Sequence, residues 1–181
     1  TLASAELQVF DDAPGDFQTP GWSADGSVRY SVVSDGTRNR LVRVAGETVT
    51  DLTPRSLDAL LFSLSPDRSK IAYQTLGDGR RAPIQVIDAG GSAPVELPPI
   101  LPLAFFWSPD GTRIAALVAE SRGIGPSGAE GVAFITQTAQ AAALRLHWEV
   151  TTLADGSNQR FAPFAPSDQF LTLLPYFDQY A

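Results

Sequence analysis

The chain has 181 residues, 44% of them hydrophobic, with a formal net charge of −7. That length is usual for one domain and supplies enough apolar residues for a sizeable core. The acidic balance argues against nucleic acid and against anionic membrane surfaces as partners, and the absence of cysteine removes disulfides, thiolates and Cys-type metal sites.

No apolar run approaches the ~18 residues that a membrane span needs, so direct membrane insertion is not expected. There is no signal-peptide pattern and no methionine, and the chain reads as a mature or trimmed segment. Residues 1–181 are expected to form a single domain segment.

In chain order, the first element is a short strand, Glu6-Leu7-Gln8-Val9-Phe10, which reads as the third strand of a preceding structural unit. An acidic link follows, Asp11-Asp12-Ala13-Pro14-Gly15-Asp16. Its clustered carboxylates suit Ca²⁺, which takes several oxygen ligands. They lack the Asp-x-Asp-x-Asp-Gly spacing, so a solvated loop is expected and no metal is assigned.

Residues 19–52 then contain a strand, the turn Ser23-Ala24-Asp25-Gly26, and a strand beginning at Val28. The hairpin turn Ser34-Asp35-Gly36-Thr37 leads to the alternating strand Arg40-Leu41-Val42-Arg43-Val44. After Ala45-Gly46 a last short strand ends near Leu52. Residues 60–97 repeat this order. Ser65-Pro66-Asp67-Arg68 stands at the first turn and Gly77-Asp78-Gly79 at the second, before Pro83-Ile84-Gln85-Val86-Ile87. The turn Asp88-Ala89-Gly90-Gly91 precedes a strand ending near Leu97. Pro94, Pro98, Pro99 and Pro102 suit an irregular connector.

Residues 103–162 carry the third copy. Phe105-Phe106-Trp107 runs into Ser108-Pro109-Asp110-Gly111 and out along Arg113-Ile114-Ala115-Ala116-Leu117. Proline presets φ at the first central turn position, Asp bonds a nearby N–H, and Gly accepts φ > 0. This copy is interrupted after Val118 by an insertion roughly twenty residues longer than the other copies need, which fits a functional loop and a tolerated, inert excursion equally. It resumes at Leu144-Arg145-Leu146-His147-Trp148-Glu149-Val150 and turns at Ala154-Asp155-Gly156. The tail, 163–181, changes character. Phe170, Leu173, Leu174 and Phe177 share a helical spacing, but Pro175 interrupts it. A short helix at 167–174 and an extended entry to a further unit both fit.

Asp25 to Asp67 is 42 residues and Asp67 to Asp110 is 43. A fixed period of this size with four strands per repeat predicts β-propeller blades. The fold class is therefore all-β: a partial propeller of about three four-stranded antiparallel blades, an extra strand, and a short helical or extended C-terminal tail. Propellers have about 4–8 blades, so an open arc is expected, completed by further blades or by a partner. Two copies depart from the pattern. Ala24 replaces the turn proline, and Arg68 replaces the turn glycine, so Arg68 must adopt an unfavourable φ or the turn must change type.

Trp-Ser-Pro-Asp-Gly, an Ile-Ala-Tyr-like strand and Ile-Gln-Val-Ile-Asp together resemble the WD40-like (PD40) repeat of TolB-type propellers. The resemblance covers residues 19–119 and, more loosely, 144–162. It implies an extracytoplasmic, non-catalytic interaction or scaffold module of the bacterial cell envelope. Similar blades form the propeller of prolyl-oligopeptidase-like hydrolases, so an accessory propeller whose catalytic domain lies outside this chain is the alternative.

The residues themselves offer little chemistry. Repetition of the Ser-x-Asp triplets marks them as turn residues rather than nucleophiles. The one histidine, His147, is expected at the surface or a blade interface, sharing a face with Arg145 and Glu149. Gly125 and Gly128 lack the Lys-Ser/Thr of a phosphate loop, no Gly-x-Ser-x-Gly elbow is present, and no cofactor is expected. A carboxylate pair for glycoside hydrolysis stays open. The candidate partner surface joins Arg122, Ile124 and Glu130 of the insertion to Tyr176, Phe177 and Tyr180 of the tail, where aromatic residues suit interface hot spots.

Overall fold

The computed structural model of the chain describes residues 20–34, 36–77, 80–98, 102–120 and 145–162. Among these residues there are thirteen strands and no helix. The first sheet holds β1 (Gly21–Trp22), β2 (Val28–Ser34), β3 (Asn39–Ala45) and β4 (Thr48–Asp51), in that spatial order and antiparallel throughout. The second holds β5 (Asp58–Leu64), β6 (Lys70–Gly77), β7 (Arg80–Arg81), β8 (Gln85–Asp88) and β9 (Val95–Glu96). The third holds β10 (Pro102–Trp107), β11 (Arg113–Glu120), β12 (Arg145–Thr152) and β13 (Asn158–Arg160).

Each sheet is a meander, because every strand is joined to the next by a connection short enough for antiparallel pairing or, between β11 and β12, by the insertion. Gly46 has φ 57° and opens a two-residue turn between the paired Ala45 and Thr48. A glycine at the first central position is what a type II′ hairpin requires.

The second sheet departs from a simple four-strand pattern. Its third strand is split: β7 and β8 both pair with β6, separated by Ala82, Pro83 and Ile84. Pro83 has no N–H to give to the ladder. The flanking residues keep the pairing alive. Ala82 N–H donates to Thr75 O at 2.8 Å, and Ile84 O accepts from Leu97 N–H at 2.9 Å. The first strands share a defect as well. Registers shift between Ala59 and Leu61 in β5 and between Pro102 and Ala104 in β10, so Leu60 and Leu103 are equivalent bulges one repeat apart.

The sheets stack face to face, and the core lies between them rather than within any one. Val28, Tyr30 and Leu41 of the first sheet meet Ala59, Phe62, Ile71, Tyr73 and Ile87 of the second. Leu61, Ala72, Ile84, Val86 and Leu97 on the other side of the second sheet meet Phe105, Ile114 and Ala116 of the third. Alternation along a strand sends successive side chains to opposite faces, which is why Ile71 and Ala72 serve different interfaces. Full burial of one such side chain contributes about 1.5–3 kcal/mol. Polar ties cross the same seams. Tyr30 Oη donates to Ala89 O at 3.1 Å, Asn39 N–H to Asp58 Oδ1 at 2.9 Å, and Trp107 Nε1–H to Ser63 O at 3.0 Å. At the first seam, β1 passes so near β5 that a Cβ on residue 21 would lie 2.5 Å from Leu64 Cδ1, and Gly21 supplies the room.

Candidate functional site

The three Ser-x-Asp turns have one construction. Ser23, Ser65 and Ser108 donate their hydroxyls to Asp25, Asp67 and Asp110 at 2.5–2.6 Å. The same hydroxyls accept the N–H of Val28, Lys70 and Arg113 at 2.9 Å. The carboxylates also take the N–H of Ser27, Ser69 and Thr112 at 3.0–3.1 Å, together with their hydroxyls at 2.7–2.9 Å. This network holds Asp25, Asp67 and Asp110 at about 2, below the ordinary 3.8, with the serine hydroxyl as the largest cause. The serines are therefore committed to the turns.

Because the side chains close the turn, Ala24 substitutes for proline without changing the bonding. The left-handed position is the more demanding one. Gly26 and Gly111 sit there at φ 72° and 69°, and Arg68 occupies it at φ 63°, so the turn keeps its type and the arginine bears the strain. The turn between β12 and β13 repeats part of the device. Ser157 N–H donates to Asp155 Oδ1 at 2.9 Å, which lowers the pKa of Asp155, and Gly156 has φ 68°.

At the opposite end of the third sheet, β11 leaves and β12 returns through the paired Glu120 and Arg145, so the insertion emerges away from the Ser-Asp turns. Two residues into β12 lies His147, and of its two expected places, the surface or a blade interface, the structure gives the interface. It is 3% exposed and pairs across to Val118, on the side that faces the second sheet. His147 Nε2 and Glu149 Oε1 are 2.8 Å apart, and Asn158 Nδ2 donates to Glu149 Oε2 at 2.8 Å. The i, i+2 spacing puts histidine and glutamate on one face, as the sequence implied. Their mutual hydrogen bond and the recruitment of Asn158 from β13 depend on strand register, which the sequence did not disclose.

The second sheet presents a further polar group to the same seam. Gln74 is wholly buried and pairs across to Leu61. Its Nε2 donates to Ala82 O at 2.9 Å, while its Oε1 has no hydrogen-bond partner among the described residues. Sequence reasoning missed Gln74, because a glutamine in an apolar strand gives no sign of which face it occupies.

The predicted partner residues Arg122, Ile124, Glu130, Tyr176, Phe177 and Tyr180 lie outside the described residues. So do the acidic link 11–16 and the tail 163–181. Among the described residues, no group of three or more His, Asp or Glu side chains could hold a metal ion, and no helix is long and apolar enough to cross a membrane.

Meander sheets stacked face to face through successive repeats define the class: this is a β-propeller arc. No family model matches the chain, and no curated protein matches it. Solved structures do. TolB from Acinetobacter baumannii superposes with a TM-score of 0.55 at 16% identity, over 80% of this chain and 31% of that one. Oligogalacturonate lyase from Vibrio parahaemolyticus gives 0.59 at 11% identity, over 82% and 40%. Pyrococcus horikoshii acylaminoacyl peptidase gives 0.56 at 14% identity, over 80% and 24%. The fold is thus that of TolB-like propellers and related propeller domains, and the chain spans well under half the length of each of these three proteins.

Proposed function

We propose that the chain is a non-catalytic protein-interaction or scaffold module of the bacterial cell envelope, acting outside the cytoplasm. The observation that carries this reading is the commitment of all three Ser-x-Asp pairs to turn bonding, combined with the likeness to TolB from A. baumannii. The repeated motif builds a scaffold, and what varies between repeats is the insertion. Its Arg122, Ile124 and Glu130, together with Tyr176, Phe177 and Tyr180 of the tail, form the partner surface in this proposal. Further blades that complete the ring compete for the tail. Exposed Arg122 or Glu130 pairs would add about 0–1 kcal/mol each, whereas a buried aromatic anchor would add more.

The test is to delete residues 122–130 and, separately, to make Phe177→Ala. Binding to purified envelope proteins is then measured beside thermal unfolding. Loss of binding with retained folding supports the surface. Retained binding in both variants refutes it, and loss of folding from Phe177→Ala assigns the tail to the core.

A second reading rests on the likeness to acylaminoacyl peptidase of P. horikoshii, of which this chain covers 24%. On that reading the arc is the accessory propeller of a hydrolase whose catalytic domain lies elsewhere. A panel of esterase, peptidase and glycosidase substrates should show no turnover by these 181 residues under either reading. Turnover abolished by His147→Ala would overturn both.

A further inference from the structure

Asp25-Gly26-Ser27 and Asp155-Gly156-Ser157 are the same tripeptide, and Asp110-Gly111-Thr112 differs from them by one methyl group. Their intrinsic chemistry is shared, so the fold must separate them. Asp25 and Asp110 are gripped from both sides, by the hydroxyls of Ser23 and Ser108 before them and by Ser27 and Thr112 after them. Asp155 takes the N–H of Ser157 at 2.9 Å and the same residue's hydroxyl. Two residues before it stands Leu153, which has no hydroxyl to give. The strands differ too. The Asp110 turn joins β10 to β11, whose Phe105 and Ile114 are buried, and Trp107 beside it is tied to Ser63 O. The Asp155 turn leads into β13, a three-residue strand at the edge of its sheet with every residue exposed. A strand with few apolar contacts and solvent-exposed ladder bonds opens locally at low cost. Gly156 N–H donates to Thr152 O at 2.9 Å, and that opening releases it.

We propose that Asp155 is a modification site, where the aspartate converts spontaneously to isoaspartate faster than at Asp25 or Asp110. The Gly156 nitrogen gives up its proton and attacks Cγ of the protonated Asp155 carboxyl. The N–Cγ bond forms, the Cγ–OH bond breaks, and one water leaves a cyclic succinimide. Water then re-enters. Attack at the Asp155 backbone carbonyl breaks its bond to the Gly156 nitrogen and leaves isoaspartate, whereas attack at Cγ restores aspartate. The water lost equals the water regained, and no oxidant or reductant takes part. Glycine leaves its nitrogen unhindered, whereas Asp67 is followed by Arg68. Hydrogen bonds to a carboxylate favour its ionised form, which resists this attack, and Asp25 and Asp110 accept more of them than Asp155. The product lengthens the backbone by one carbon just before β13, the strand that supplies Asn158 to Glu149.

The full chain tests this by incubation in mildly acidic heavy-oxygen water, followed by trypsin and peptide sequencing by mass spectrometry. Cleavage after Arg145 and Arg160 isolates Asp155-Gly156 as the one Asp-Gly pair of its peptide. The expected result is a several-fold excess of isoaspartate and of heavy oxygen at Asp155 over Asp25 and Asp110. The same incubation in urea should bring the three sites together. Conversion at Asp155 equal to or below that at the other two in the folded chain would overturn the proposal. So would an excess at Asp155 that persists in urea, because the local sequence and not the fold would then set the rate. Ser23→Ala and Ser108→Ala, checked for retained folding by thermal unfolding, should raise conversion at Asp25 and Asp110 respectively. Unchanged rates in both folded variants would equally overturn it. The comparison of folded with urea-unfolded parent decides the matter without either variant.

Discussion

Replacing Arg68 by glycine isolates the conformational cost of the left-handed turn position. Arg68 has φ 63°, and its N–H donates to Ser65 O at 2.8 Å, a bond glycine keeps. The left-handed conformation costs an L-residue about 1–2 kcal/mol. Glycine avoids this but loses about 0.4–1 kcal/mol through its freer unfolded chain. The net expectation is a gain of about 0.5–1 kcal/mol, or about 1–4 °C in Tm for a protein of this size. The reverse change is available at Gly26, where an added Cβ would meet nothing within 4 Å. Gly26→Ala therefore reports backbone strain without a clash and should lose about 1 kcal/mol. Urea unfolding of both variants with unchanged slopes is the assay. Destabilisation by Arg68→Gly, or a neutral Gly26→Ala, would refute the account of the turn.

Three more predictions test other parts. Asp25, Asp67 and Asp110 titrate near 2 when folded against 3.8 ordinarily, so the stability they confer is complete above pH 4 and is lost as pH falls towards 2. Tm measured across that window should drop less steeply for Asp67→Asn than for the parent. Ile114→Ala removes a side chain 1% exposed at the second seam and should cost about 2–5 kcal/mol in chemical unfolding. Glu149→Ala removes one hydrogen bond from His147 and one from Asn158, and at about 0.5–1.5 kcal/mol for each bond the loss is measurable by calorimetry.

The blades were legible because their turns are chemically explicit. Asp25, Asp67 and Asp110 recur at a near-constant interval, and the expected choice at Arg68 resolves to a strained φ rather than another turn type. Local patterning showed less of what depends on the neighbouring sheet. The alternation of β12 puts His147 on a face, but whether that face meets solvent or the second sheet depends on how the blades stack. The break at Pro83 was visible as a proline, yet the pairing of β7 and β8 with one strand depends on how far β6 extends. The predicted partner surface lies outside the described residues and rests on composition.

The central claim is that three separate meanders stack through their faces as successive blades. Proton NMR with backbone assignment tests it through cross-strand contacts. The account predicts ladder contacts within β1–β4, β5–β9 and β10–β13, and none between β4 and β5 or between β9 and β10. It also predicts a slowly exchanging Trp107 indole proton, held by Ser63 O across the seam. Backbone contacts that join β4 to β5 in one continuous sheet, with a freely exchanging Trp107 indole, would contradict it.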